Sequence, residues 1–188
     1  MTSYSWRALA RQSILDPRAA APILTGRPLP RGVLPLALAL VATLNGIFFG
    51  LVLPADLYPG GLASPIPLAI MVGGLVWTSA AILAFVGQLF GGQGRTEDLL
   101  RIGIWMQFLR LGAQILLTFA ELLLPGLAWM LAVVAWIWGL YMTICFTAAA
   151  HRFDTLLKAA AVLGVTFFTA VLALSVVLAV FGLAPVAV

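Results

Sequence analysis

Charge is what this chain has least of. Only 9% of its 188 residues are Asp, Glu, Lys or Arg, and the acidic ones number six, against about a quarter charged in soluble domains. So few ions cannot keep a domain of this size dispersed in water, and 63% hydrophobic residues with a mean hydropathy of +1.14 exclude that class. Cysteine occurs once, at Cys145, so no internal disulfide can form and the thiol is read as packing. Histidine also occurs once. His151-Arg152-Phe153-Asp154 brings a His and a carboxylate together, but no further Cys, His or carboxylate stands at metal-ligand spacing. The expectation is a surface histidine at a helix end and no metal. Gly-x-Ser-x-Gly is absent, and a histidine at the membrane edge cannot serve Ser79 or Ser175 within the spans. The chain is therefore read as non-enzymatic and without a cofactor.

What the sequence does contain is long apolar runs. Five are of spanning length: 33–53, 66–90, 99–124, 127–150 and 159–183. Each meets the requirement of about 20 residues for a helix crossing about 30 Å of hydrocarbon. Barrel strands are about half that length and alternate apolar with polar positions, so the fold class is all-α, a polytopic transmembrane bundle. Only Pro125 and Gly126 separate spans three and four, which predicts a tight hairpin with Pro125 preventing one continuous rod. Gly46 and Gly50 form a Gly-x-x-x-Gly, and Gly73-Gly74 add small residues in span two, a pattern that favours close helix packing within one chain or between copies.

The basic residues set the expected topology. Arg7, Arg11, Arg18, Arg27 and Arg31 precede span one, Arg95 and Arg101 flank the loop after span two, and Arg152 and Lys158 flank the loop after span four. The loop at 54–65, the Pro125-Gly126 turn and the stretch after span five have none, which places the N-terminus in the cytoplasm and the C-terminus outside. The net charge of +4 then reads as a topology signal and an attraction to anionic lipid head groups, not as nucleic-acid binding. Residues 1–32 lack the apolar core and cleavage site of a signal peptide. Ser3 or Ser5 can cap a short helix running to Asp16, which Pro17 ends or restarts, with Trp6, Leu9 and Ala10 on one face and Arg7, Arg11 and Arg18 beside it. Such a segment suits a helix lying on the inner leaflet, or a plain topogenic tail.

Arg110 stands inside the third span. At 100° per residue Gln107, Arg110, Gln114, Thr118 and Glu121 share one face, with Trp105, Ile115, Leu116 and Leu123 elsewhere. An intramembrane guanidinium costs about 2.5–3.5 kcal/mol on insertion scales, which predicts an inward-facing Arg110 with partners in the bundle. Counting about 1.5 Å per residue puts Asn45 and Arg110 at comparable depth, with Thr78, Ser79 and Thr166 as further candidates for one midplane network. Glu121 is eleven residues away, so the partners expected for Arg110 are amides, hydroxyls, carbonyls, water or a bound anion.

The segment Gly91-Gly92-Gln93-Gly94-Arg95-Thr96-Glu97-Asp98 lacks the glycine spacing and Lys of a phosphate-binding loop. It is read as mechanical: Gly91 or Gly92 ends span two in a left-handed conformation, and Thr96, Glu97 and Asp98 cap span three. Phe90-Gly91-Gly92-Gln93-Gly94-Arg95-Thr96-Glu97-Asp98-Leu99-Leu100, followed by Gln107, resembles the central signature of the bacterial branch of the Yip (Ypt/Rab-interacting protein) family. Asp16-Pro17, five spans, the near-absent third loop and Lys158-Ala159-Ala160 agree with it. The resemblance implies a five-span protein of the bacterial inner membrane. It does not bring GTPase binding with it, because the long cytoplasmic half that carries that role is missing and Asp56-Leu57-Tyr58-Pro59 falls on the outer side.

Two functional readings follow. One is a non-enzymatic membrane scaffold or adaptor, self-associating or bound to a membrane-protein partner and to anionic lipids. The other is a small transporter, channel or lipid-handling protein using the stripe around Arg110, although inverted repeats and interrupted helices at matching positions are not evident. Reporter fusions after Gly60 and Val188 are expected to read outside, and fusions near Gly94 and Asp154 to read inside. A C-terminal fusion that reads inside overturns the five-span topology.

Overall fold

The computed structural model describes residues 5–26, 30, 32–52 and 64–180, and the described residues form helices and their connections without a strand. Two short helices come first, α1 (Trp6–Leu15) and α2 (Pro17–Thr25). The Ser5 hydroxyl starts α1 by accepting from the Ala8 N–H at 3.2 Å. Asp16 ends one helix and begins the next. Its N–H donates to the Gln12 carbonyl at 2.7 Å, its carboxylate accepts from the Ala19 N–H at 3.1 Å, and Pro17 occupies the first helical position, where no N–H is needed. Pro17 therefore restarts the helix.

The five long helices are α3 (Val33–Val52), α4 (Pro65–Leu89), α5 (Thr96–Leu123), α6 (Pro125–His151) and α7 (Leu156–Val180). All five are long and apolar enough to cross a membrane. Three of them begin two or three residues before the apolar runs do, because a helix propagates through polar residues once started. Leu53, Arg27, Arg31, Asp56, Gly60 and residues 181–183 lie outside the described residues. Only Leu124 separates α5 from α6. Its carbonyl accepts from the Leu127 and Ala128 N–H groups, and Pro125 opens the new helix.

Helices α4, α5, α6 and α7 close a ring in which each packs on the next and α7 returns to α4. Helix α3 packs on both α4 and α5, and α2 packs on α6 and α5. One stripe of α4, Leu68, Val72, Val76, Ala80 and Ala84, is buried from end to end. In α5, α6 and α7 the buried side chains among the described ones, Ala128 excepted, crowd toward the end that carries the 90–95 and 152–155 loops: Leu99 to Leu111 in α5, Met142 to His151 in α6, and Ala159, Val162 and Thr166 in α7. Toward the opposite end Leu116, Phe119, Leu122, Trp136 and Phe168 are exposed, a surface that only lipid or another apolar partner solvates.

Helix length and aromatic placement locate the bilayer. Helix α5 has 28 residues and is about 42 Å long, some 12 Å more than the hydrocarbon thickness. The Trp105 ring packs at a tilt against Trp6 of α1 with centroids 6.1 Å apart, and its indole N–H donates to the Ser13 hydroxyl at 3.0 Å. In α6 the Trp138 indole donates to the Ile14 carbonyl at 2.9 Å, and Tyr141 packs beside it. Aromatic rings with polar tips suit the lipid–water boundary, which on α5 fits Trp105; Trp138, 13 residues or about 20 Å from Pro125, reaches the same α1 from a deeper point on α6. Trp105 to Leu124 is then about 28 Å, the full hydrocarbon depth, and the first turns of α5 project beyond it.

Gly46 marks the closest helix approach. A Cβ there would lie 2.5 Å from the Pro65 carbonyl oxygen and 2.7 Å from the Ala69 nitrogen, both backbone atoms of α4. Gly46→Ala must push α3 away from α4, and a loss of about 1–3 kcal/mol is expected. Gly74→Ala meets nothing within 4 Å and is the control. Melting in detergent should separate the two variants; equal melting would show that this contact does not hold the helices.

Candidate functional site

The loop end of the bundle is built around one side chain. His151, the last residue of α6, is 1% exposed, so the sequence-based expectation of a surface histidine is overturned. Its polar ring is buried because three glycines leave room for it. A Cβ at Gly92 would lie 2.5 Å from His151 Nδ1, one at Gly94 would lie 2.7 Å from the same atom, and one at Gly87 would overlap Cε1 and Nε2. The Phe153 ring stacks on the imidazole with centroids 5.1 Å apart. The Gly94 N–H donates to Nδ1 at 3.2 Å, which makes Nδ1 the acceptor and places the proton of the neutral ring on Nε2. Nε2 is buried and makes no hydrogen bond to the described residues.

Two matching helix ends hold this cage. Helix α4 ends with Gly91 at φ +81°, the Gly91 N–H donating to Gln88 at 2.9 Å and the Gly92 N–H to Gly87 at 2.8 Å. Helix α6 ends the same way: Arg152 stands at φ 55°, its N–H donates to Ala149 at 3.3 Å, and the Phe153 N–H donates to Ala148 at 2.9 Å. Both are paired six-to-one and five-to-two terminations, which satisfy carbonyls that a helix end leaves open. Gly91 suits the left-handed position, whereas Arg152 occupies it at a steric cost. The two ends are then tied together. The Gln93 N–H donates to the His151 carbonyl at 3.1 Å, an Arg152 guanidinium nitrogen donates to Gln93 Oε1 at 3.1 Å, and Gln88 Nε2 donates to the Gly94 carbonyl at 3.1 Å.

The expected capping of span three holds in part. Glu97 and Asp98 lie in the first turn of α5, where negative charge suits the helix dipole. No side chain caps it, and the Asp98 and Leu99 N–H groups go to the Arg95 carbonyl. Gln93, Arg95, Glu97, Arg152, Asp154 and Lys158 remain exposed around the cage, and Lys158 reaches Asp154 at 3.8 Å.

The intramembrane residues are placed differently from the depth count. Arg110 is exposed on the flank of α5, and no hydrogen bond or ion pair joins it to another described residue. It lies five residues, about 8 Å, beyond Trp105, so its guanidinium can extend along the helix surface toward the lipid–water boundary. The partners in the bundle expected from burial cost are thus not seen for Arg110, which stands on the flank of α5. Gln107 and Gln114 are half-buried with their Oε1 atoms buried and unpaired, Thr118 donates to the Gln114 carbonyl of its own helix at 3.0 Å, and Glu121 is exposed. Asn45 is fully buried but bonds the Val41 carbonyl of its own helix at 2.8 Å, Thr166 is buried in α7, and Thr78 and Ser79 are exposed. The structure does not gather these groups into one network. Among the described residues no cluster of three His, Cys, Asp or Glu could hold a metal.

Sequence reasoning missed the role of His151 because the partners of a helix-end residue are decided by chain crossings, 57 residues apart in the case of Gly94. One signal was present: Gly87 sits inside a helix, where glycine costs up to about 1 kcal/mol and calls for a packing reason.

Fold and site together define a multi-pass helical membrane protein whose loops close around a buried histidine. The Yip1 domain description matches residues 7–185, and the chain belongs to the Yip family. The match includes α1 and α2, which are thereby part of the domain. No curated protein and no solved structure matches the chain.

Gly87→Ala and His151→Ala test the cage as a pair. Each alone should lower the melting temperature, the first by steric overlap and the second by opening a cavity and freeing the Gly94 N–H. Together they should be less damaging than their sum, with a coupling of about 0.5–3 kcal/mol. Simple additivity would mean that glycine and ring do not interact.

Proposed function

We propose that this protein is a non-enzymatic scaffold or adaptor of the membrane, with its loop end on the cytoplasmic side as the docking face. One observation carries the reading: the His151 cage ties the ends of α4 and α6 to the start of α5, so Arg95, Arg152 and Lys158 are presented from a locked platform. A rigid surface costs little ordering entropy on docking, and its charges suit an acidic partner or anionic head groups. The transport reading is less favoured because Arg110 is exposed on the flank of α5, and Thr118 and Asn45 bond within their own helices rather than to it. Self-association would use the exposed apolar faces at the opposite end.

Arg95→Glu combined with Lys158→Glu should leave melting within about 0.5 kcal/mol of the parent, since surface charges contribute little to stability. Crosslinking from a photoreactive residue at position 93 to an acidic partner in native membranes should be lost. Solute flux in reconstituted vesicles that Arg110→Leu abolishes would overturn the proposal and favour transport.

A further inference from the structure

A groove of about 340 Å³ lies under the short helices, bounded by α3 on one side and α5 on the other. Its walls are apolar, with Leu9 above, Leu34, Ala37 and Val41 on α3, and Ile104 and Phe108 on α5. Among the described residues the one charged side chain on the wall is Arg101. These groups are ordered along the bilayer normal. Arg101 stands four residues, about 6 Å, outside the Trp105 boundary, whereas Phe108 stands about 4 Å inside it. The groove thus passes from a cation at head-group depth to hydrocarbon walls at acyl depth.

We propose that this groove holds one acyl chain of an anionic phospholipid from the adjoining leaflet, its head group beside Arg101. Three observations lead to that occupant. The walls lie at a depth where acyl chains are the solvent, so an apolar recess open there is supplied with them. The roof is fixed: Arg101 donates to the Leu24 and Thr25 carbonyls at 3.1 and 3.2 Å, and Trp105 is tied to Ser13. A held roof keeps the recess from collapsing on cooling or on removal from the membrane. The sign of the single wall charge, with exposed Arg7 and Arg11 on the helix above, complements a lipid of net negative charge. Leu40 at 61% exposure and Trp6 at 71% form an apolar lip beside the groove, where the remainder of the lipid would lie.

The test uses the full chain in nanodiscs of equimolar phosphatidylglycerol and phosphatidylcholine, released into mild detergent and weighed by native mass spectrometry. The parent should retain one phospholipid, enriched in phosphatidylglycerol. Ala37→Phe should fill the groove without loss of melting temperature, weakening retention roughly tenfold for every two methylenes it excludes. Arg101→Gln removes a roof tie together with the wall charge, so it should lose both retention and the preference for phosphatidylglycerol, whereas Arg7→Gln with Arg11→Gln leaves the roof bonds in place and should keep a bound lipid with a weaker preference. Should a variant fail to fold, the parent alone decides the matter through a diazirine placed in the acyl chain, which should label Phe108, Leu40 or Ala37. Equal retention of both lipids, unchanged retention in a folded Ala37→Phe, labelling confined to the opposite half of α5–α7, or a chain-to-chain crosslink through the groove would each overturn the proposal.

Discussion

The imidazole of His151 seated against Gly87, Gly92 and Gly94 is the contact on which the loop end depends. A buried polar ring is costly unless it is both packed and bonded. Here the packing comes from three missing Cβ atoms and the bond from the Gly94 N–H. Each glycine sacrifices intrinsic stability, most clearly Gly87 within α4. The ring offsets this by joining the termination of α4, the approach to α5 and the end of α6, so the two loops cannot move independently.

The same end explains the uneven packing along the bundle. Among the described side chains burial in α5 ends at Leu111 and in α7 at Thr166, while apolar faces farther along stay exposed. In a bilayer such faces need no burial, because lipid tails are as apolar as leucine and supply no hydrophobic drive to close them. Contacts with geometric content must therefore hold the helices: Gly46 against the α4 backbone, the His151 cage, and the indole bonds of Trp105 and Trp138 to α1. The Yip1 domain match extends over all of these, which agrees with α1 and α2 being structural parts of the fold rather than a tail.

Arg110 shows how cost and reach compete. Burial cost alone argues for an inward guanidinium, yet a long side chain about 8 Å from the boundary has a cheaper route outward along its own helix. The deciding quantity is the position of the boundary. It is set by Trp105 and the docked α1, not by the first apolar residue of the span.

Composition and periodicity alone determined the all-helical membrane class, five spans, the Pro125 hairpin, a first short helix capped by Ser3 or Ser5 and running to Asp16, and a left-handed Gly91 or Gly92 at the end of the second span. These depend on local rules: helix length against hydrocarbon thickness, the missing N–H of proline, and the conformational freedom of glycine. Tertiary structure decided which face of α5 turns inward, that His151 is buried, and that Arg101 and Trp105 carry the N-terminal helices. Each of those depends on where two distant segments cross. A hydrophobic pattern along one helix specifies an apolar face but not its neighbour, and nearly uniform apolarity, as in α4 and α6, leaves even the face undetermined until the helices pack.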